Sequence, residues 1–170
     1  MHPVRTALVA AFAAGLLCAC GKAEDSAAQA LAEQALEART GQKVDIRSED
    51  GQDTVTIDGE QGRYQHTTGE NVPLPSDFPK DVVLPSDYSV VSVMTMGPAR
   101  SVVLRSREPL PALFERYQSG LAGQGWKETV SMQGEEGSML GFEKDKRGVL
   151  VNLRSDIEGH TVISLSLQAP

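Results

Sequence analysis

The chain has 170 residues, with 16 basic and 23 acidic side chains, a net charge of −7 and a pI near 5.0. That balance argues against a nucleic-acid partner, because phosphate backbones are held by clustered Lys and Arg. The length suits one domain of ordinary size or one with a small appendage, and with aromatics at 5% the core must come from Val, Leu, Ile and Ala; the composition is neither that of a disordered chain nor that of a multi-span membrane protein.

Arg5 is the only charge in the first nineteen residues, and the apolar run Ala7 to Leu17 that follows is too short to span a bilayer. Residues 1–19 therefore read as a secretory signal with an n-region and an h-region. The run ends in Leu17-Cys18-Ala19-Cys20-Gly21, which resembles the lipobox of bacterial lipoproteins. The resemblance implies that signal peptidase II reads Leu17 and Ala19, and that Cys20 is acylated on its thiol, becomes the first mature residue, and carries palmitate-type chains into the membrane. The alternative is an ordinary cleavage after an Ala-x-Ala site, which would leave both cysteines incidental. On the lipobox reading the mature chain has no free thiol and no disulfide. Its acidic surface is repelled by anionic head groups, so attachment rests on acyl methylenes at about 0.8 kcal/mol each. Gly21, rather than Asp, after the Cys implies by the same resemblance an outer membrane location facing the periplasm.

Residues 20–70 form the next segment. Ser26 can cap a helix from Ala27 to Arg39, rich in Ala, Leu, Glu and Gln and closed by Gly41. Ala28, Leu31, Ala35 and Ala38 share a shallow apolar face, which predicts weak docking; a disordered lipoprotein tether is the competing reading. Val44 and Ile46, Val55 and Ile57, and Tyr64 then alternate with polar residues around Asp50-Gly51 and Asp58-Gly59, the pattern of a short antiparallel meander.

From 71 to 87 the chain carries Pro73, Pro75, Pro79 and Pro85 and repeats Leu74-Pro75-Ser76-Asp77-Phe78 as Leu84-Pro85-Ser86-Asp87-Tyr88. This is read as a linker between domains, either a partner-binding strap or, more simply, a connection pinned to the next domain by Phe78 and Val82. Residues 88–170 then show a hairpin through Gly97-Pro98, a helix opened by Pro109 or Pro111 whose Leu110, Leu113, Phe114, Tyr117 and Leu121 make one stripe, and strands at Trp126 to Met132, Met139 to Lys144, Val149 to Arg154 and Thr161 to Gln168. The expected fold is α+β: an antiparallel sheet with one packed helix, ββαββββ, preceded by a small helix plus β-meander segment. The stretch Phe78-Pro79-Lys80-Asp81-Val82-Val83-Leu84-Pro85, together with the helix running into Gly125-Trp126, is similar to a module of small bacterial lipoproteins. That likeness implies a fold and no reaction.

Catalytic signatures are lacking. His66 and His160 are the mature chain's histidines, each in a polar setting that predicts exposure, and no Gly-x-Ser-x-Gly elbow occurs. Ligand spacings for zinc or calcium are missing, as are phosphate-cradling and dinucleotide loops, so neither a metal nor a cofactor is expected. Glu135-Glu136 resembles half of a glycosidase pair but sits in a hairpin loop. Lys144, Lys146, Arg147 and Arg154 concentrate positive charge near one hairpin, a patch suited either to anionic envelope material or to solubility.

The leading expectation is a non-enzymatic, lipid-anchored envelope protein that binds or braces an envelope protein or cell-wall partner. The alternative is a periplasmic carrier of a small apolar ligand, held between helix and sheet by Leu113, Phe114, Tyr117 and Trp126; an envelope hydrolase ranks last. A filled helix–sheet interface would favour the brace, and an apolar cavity there the carrier.

Overall fold

A computed structural model describes residues 22–60, 62–134 and 137–169. Leu17, Ala19 and Cys20, and the pair Glu135-Glu136, lie outside these. In chain order the elements are α1 (Lys22–Thr40), β1 (Lys43–Glu49), β2 (Gln52–Gly59), β3 (Gly62–Gly69), β4 (Ser89–Met96), β5 (Ala99–Ser106), α2 (Leu110–Gly123), β6 (Lys127–Gly134), β7 (Gly137–Lys144), β8 (Arg147–Ser155) and β9 (Thr161–Gln168). All nine strands belong to one antiparallel sheet in the order β1-β2-β3-β4-β5-β9-β8-β7-β6. No described helix is long and apolar enough to cross a membrane.

This overturns the expected architecture, a ββαββββ sheet preceded by a separate small helix and meander. β3 pairs with β4 from Tyr64↔Met96 to Thr68↔Ser92, so the meander is the first third of a single sheet. The reason lies in the proline-rich stretch, which brings the chain back rather than separating it. The Val72 N–H donates to the Val90 carbonyl at 2.9 Å, and Val72 and Val82 are buried in the core with Leu74, Phe78, Val83 and Leu84 packed against it.

The two faces of the sheet are unlike. On one, Val102, Leu104, Leu140, Phe142, Val149, Val151, Leu153, Ile163 and Leu165 meet Leu113, Phe114, Tyr117 and Leu121 of α2, the alternation of each strand pointing its aliphatic set toward the helix. At the helix end Gly125, at φ +83°, lets the Trp126 N–H reach the Leu121 carbonyl and its own N–H the Ala122 carbonyl, a Schellman closure that turns Trp126 back into the core. Close approach also requires Gly120, where a Cβ would stand 2.9 Å from a Val83 methyl.

α1 is attached differently from the expected apolar stripe. Leu31 is 68% exposed, while Glu33 and Glu37, one turn apart, accept the N–H groups of Ile46 and Val44 at 2.7 and 3.0 Å. Two carboxylates thus occupy donors on the outer edge of β1, a means of blunting an edge strand. At the first hairpin Asp50 and Gly51 both take positive φ, as a two-residue turn of the primed type demands. Asp58-Gly59 ends a strand instead, since Gly59 pairs with Gly62 and the turn falls just beyond.

Candidate functional site

Strand register carries one row of residues across the uncovered face: Met94 opposes Ser101, Ser101 opposes Ser166, Ser166 opposes Leu150, Leu150 opposes Gly141, and Gly141 opposes Val130. The neighbouring row runs Met96, Ala99, Gln168, Gly148, Glu143. Ser101, Ser166, Gly141, Ala99 and Gly148 therefore make a low floor, interrupted by Leu150, with Met94 and Met96 at one end and Val130 at the other, of an open trough of about 550 Å³, within the roughly 300–1,000 Å³ usual for small-molecule sites. A Cβ at Gly141 would lie 3.1 to 3.2 Å from Thr129 and Val130 atoms at a bulge of β6, so a larger residue there would push on β6. On the same face a second hollow of about 570 Å³ runs past Met132, Met139, Asn152 and Ser164.

The residues expected to line a carrier pocket do otherwise. Leu113, Tyr117, Phe114 and Trp126 are at most 5% exposed and belong to the packed core; Trp126 also borders a cleft of about 250 Å³. The Tyr117 hydroxyl is buried without a hydrogen-bond partner in the described structure, and burial raises its pKa above the ordinary phenol value.

Two members of the expected basic patch, Lys144 and Arg147, share a single carboxylate, that of Asp81. Asp81 accepts Arg147 at 2.8 and 3.0 Å and Lys144 at 2.8 Å, and its backbone carbonyl accepts the Trp126 indole N–H at 2.9 Å. The Arg147 guanidinium lies 4.8 Å from the indole centroid. Arg147 first, with Lys144, holds the Asp81 carboxyl far below the usual carboxylate range against an opposing effect of burial. Lys146 and Arg154 remain exposed. The two Leu-Pro-Ser-Asp copies have separate anchors: Asp77 takes Arg100 through both oxygens at 2.8 Å, and Ser86 donates twice to Glu108, which also accepts Arg116.

The histidines are less exposed than expected. His66 is half-buried, its Nε2 at 2.9 Å from the Ser92 hydroxyl, but Ser92 lies inside β4 between two paired strands, where ladder hydrogen bonds leave little backbone N–H for an oxyanion. His160 stands with Asp156 and Glu158, their candidate ligand atoms within 4.8 Å of one another. A cation already serves them: Arg105 is 3.0 Å from Asp156 Oδ2 and 3.4 Å from Glu158 Oε2. Burial raises the Asp156 pKa, but the N–H groups of His160 and Glu158 and the nearby Arg105 outweigh it, leaving the carboxyl below its ordinary value.

A family model described as START domain-like matches residues 90–159. The match is a likeness over part of the chain. It runs from β4 to the turn before β9 and so takes in most of the trough. No curated protein and no solved structure matches.

Alternation of large and small residues, as in Ile163-Ser164-Leu165-Ser166-Leu167, was the signal available for the trough. It reads equally as an ordinary solvent face until the six strands are set side by side.

Proposed function

We propose that this chain is a non-catalytic binding protein of the bacterial envelope, tethered through an acylated Cys20, that takes a small apolar ligand in the trough between β4 and β6. The START domain-like match carries the ligand class, since domains of that description bind small apolar ligands. The trough rather than the helix–sheet interface is the proposed seat, because the latter is packed with Leu113, Phe114, Tyr117 and Leu121. Methionines suit such a wall, their flexible thioethers adapting to varied apolar shapes. Tethering to an outer membrane facing the periplasm would let the acyl chains hold the trough near envelope lipids, and an envelope protein or cell-wall component would be the onward partner.

The unacylated Cys20→Ala chain should enhance the fluorescence of N-phenyl-1-naphthylamine. Adding Ser166→Trp, which places a large ring on the trough floor, should abolish the enhancement with little change in the urea midpoint. Undiminished enhancement would refute the trough as the seat. In cells an azide-bearing fatty acid should label the wild type and not Cys20→Ala; label surviving that change would refute the anchor.

A further inference from the structure

The sheet has two edges, and they are finished differently. On β1 the carboxylates of Glu33 and Glu37 occupy the outward N–H groups of Ile46 and Val44. On β6 all eight residues are exposed, and among the described residues no strand pairs with its outer side. The devices that protect an edge are confined to its first residues: Lys127 and Glu128 are charged and the register shifts between Glu128 and Val130. From Val130 to Gly134 the edge is neutral, and it exposes Val130 at 36% and Met132 at 59%.

We propose that β6 is a self-association surface, on which two copies of this chain pair antiparallel with Ser131 opposite Ser131. Opposed residues on antiparallel strands share a face. In this register Val130 meets Met132 of the second copy twice over, in a neutral span bounded by the bulge between Glu128 and Val130. The contact is isologous and uses the same strand of both copies. Growth ends at two copies because, among the described strands, the other edge is β1, whose Val44 and Ile46 donors are occupied by carboxylates of α1. The trough, whose rim includes Val130, then continues from one copy into the next, since the faces bearing the two rows coincide.

The test is disulfide crosslinking of the full chain in intact cells, with a mild thiol oxidant added and the wild type, whose processed and acylated form would carry no free thiol, setting the background. Ser131→Cys should give a species of twice the monomer mass, and Ser48→Cys on β1 should not. Adding Val130→Lys and Met132→Lys, which oppose two pairs of like charges, should remove the species; Val130→Lys with Met132→Glu should restore it, which a folding defect would not do. The proposal is overturned if Ser131→Cys gives no species above background while the chain accumulates normally. It is equally overturned if Ser48→Cys crosslinks as well, if the partner has another mass, or if the double-lysine chain crosslinks unchanged.

Discussion

The two halves of this sheet share hydrogen-bonding geometry and little else. In β1 to β3 one hydrophobic residue, Val44, is fully buried, whereas β4 to β9 with α2 hold most of the core. Each half has its helix, but α2 is held by four buried side chains, Leu113, Phe114, Tyr117 and Leu121, and α1 by two carboxylates on a strand edge. A helix that buries an apolar stripe gains several kcal/mol from area removed from water; one held by hydrogen bonds to exchangeable edge donors gains about 1 kcal/mol per bond. Cooperative stability should therefore reside in the α2 half, and the α1 half should open locally at lower cost.

The sharpest way to break the comparison is within α2. Phe114→Ala removes a ring that is 5% exposed and should cost about 3–5 kcal/mol in urea denaturation of the unacylated chain. Glu115→Ala, one position along and exposed, should stay within about 0.5 kcal/mol; similar losses for the two would mean that the helix does not face the sheet as described.

Asp81→Asn comes next, because it strips the shared acceptor from Lys144 and Arg147 beside Trp126 and should lower stability at pH 7 by about 1–3 kcal/mol. The folded Asp81 carboxyl is depressed, so its contribution is complete above the unfolded value near 3.9 and is lost as pH falls through the folded one. Urea midpoints of wild type and variant should thus differ most above about pH 5 and converge as the solution is acidified further. A gap that stays constant down the acid limb would remove the ion pair from the account.

In the other half, Glu33→Ala with Glu37→Ala should cost about 1–2 kcal/mol. Hydrogen exchange should quicken in α1 and at Val44 and Ile46 while the amides of α2 stay protected; slowing or no change at the β1 edge would mean that α1 is docked by something else. The smallest effect belongs to the β7–β8 turn, where Asp145 and Lys146 sit at φ +51° and +63°. Lys146→Gly relieves one left-handed side chain and should raise the thermal midpoint slightly, by a stability gain of no more than about 1 kcal/mol.

Much of this arrangement is legible residue by residue. The stripe from Leu110 to Leu121 repeats at the helical period and α2 spans Leu110–Gly123; Ile163, Leu165 and Leu167 alternate, and β9 buries all three. The stripe on α1 misled, because Ala28, Leu31, Ala35 and Ala38 have the right spacing yet too little area to compete with two glutamates aimed at free strand donors. Asp81 was hidden for another reason: Lys144 and Arg147 lie 63 and 66 residues away from it, and no local pattern marks a carboxylate for such partners.

The sequence by itself determined the strand alternation, the α2 stripe and the acidic balance, because backbone geometry imposes periods of 2 and 3.6 that a run of residues either matches or does not. Tertiary structure alone decided that β3 pairs with β4, that the proline-rich stretch folds back over the core, and that serines and glycines from separate strands line up as a trough under methionines. Those are contacts between distant segments, selected by the total burial and hydrogen bonding they make possible together.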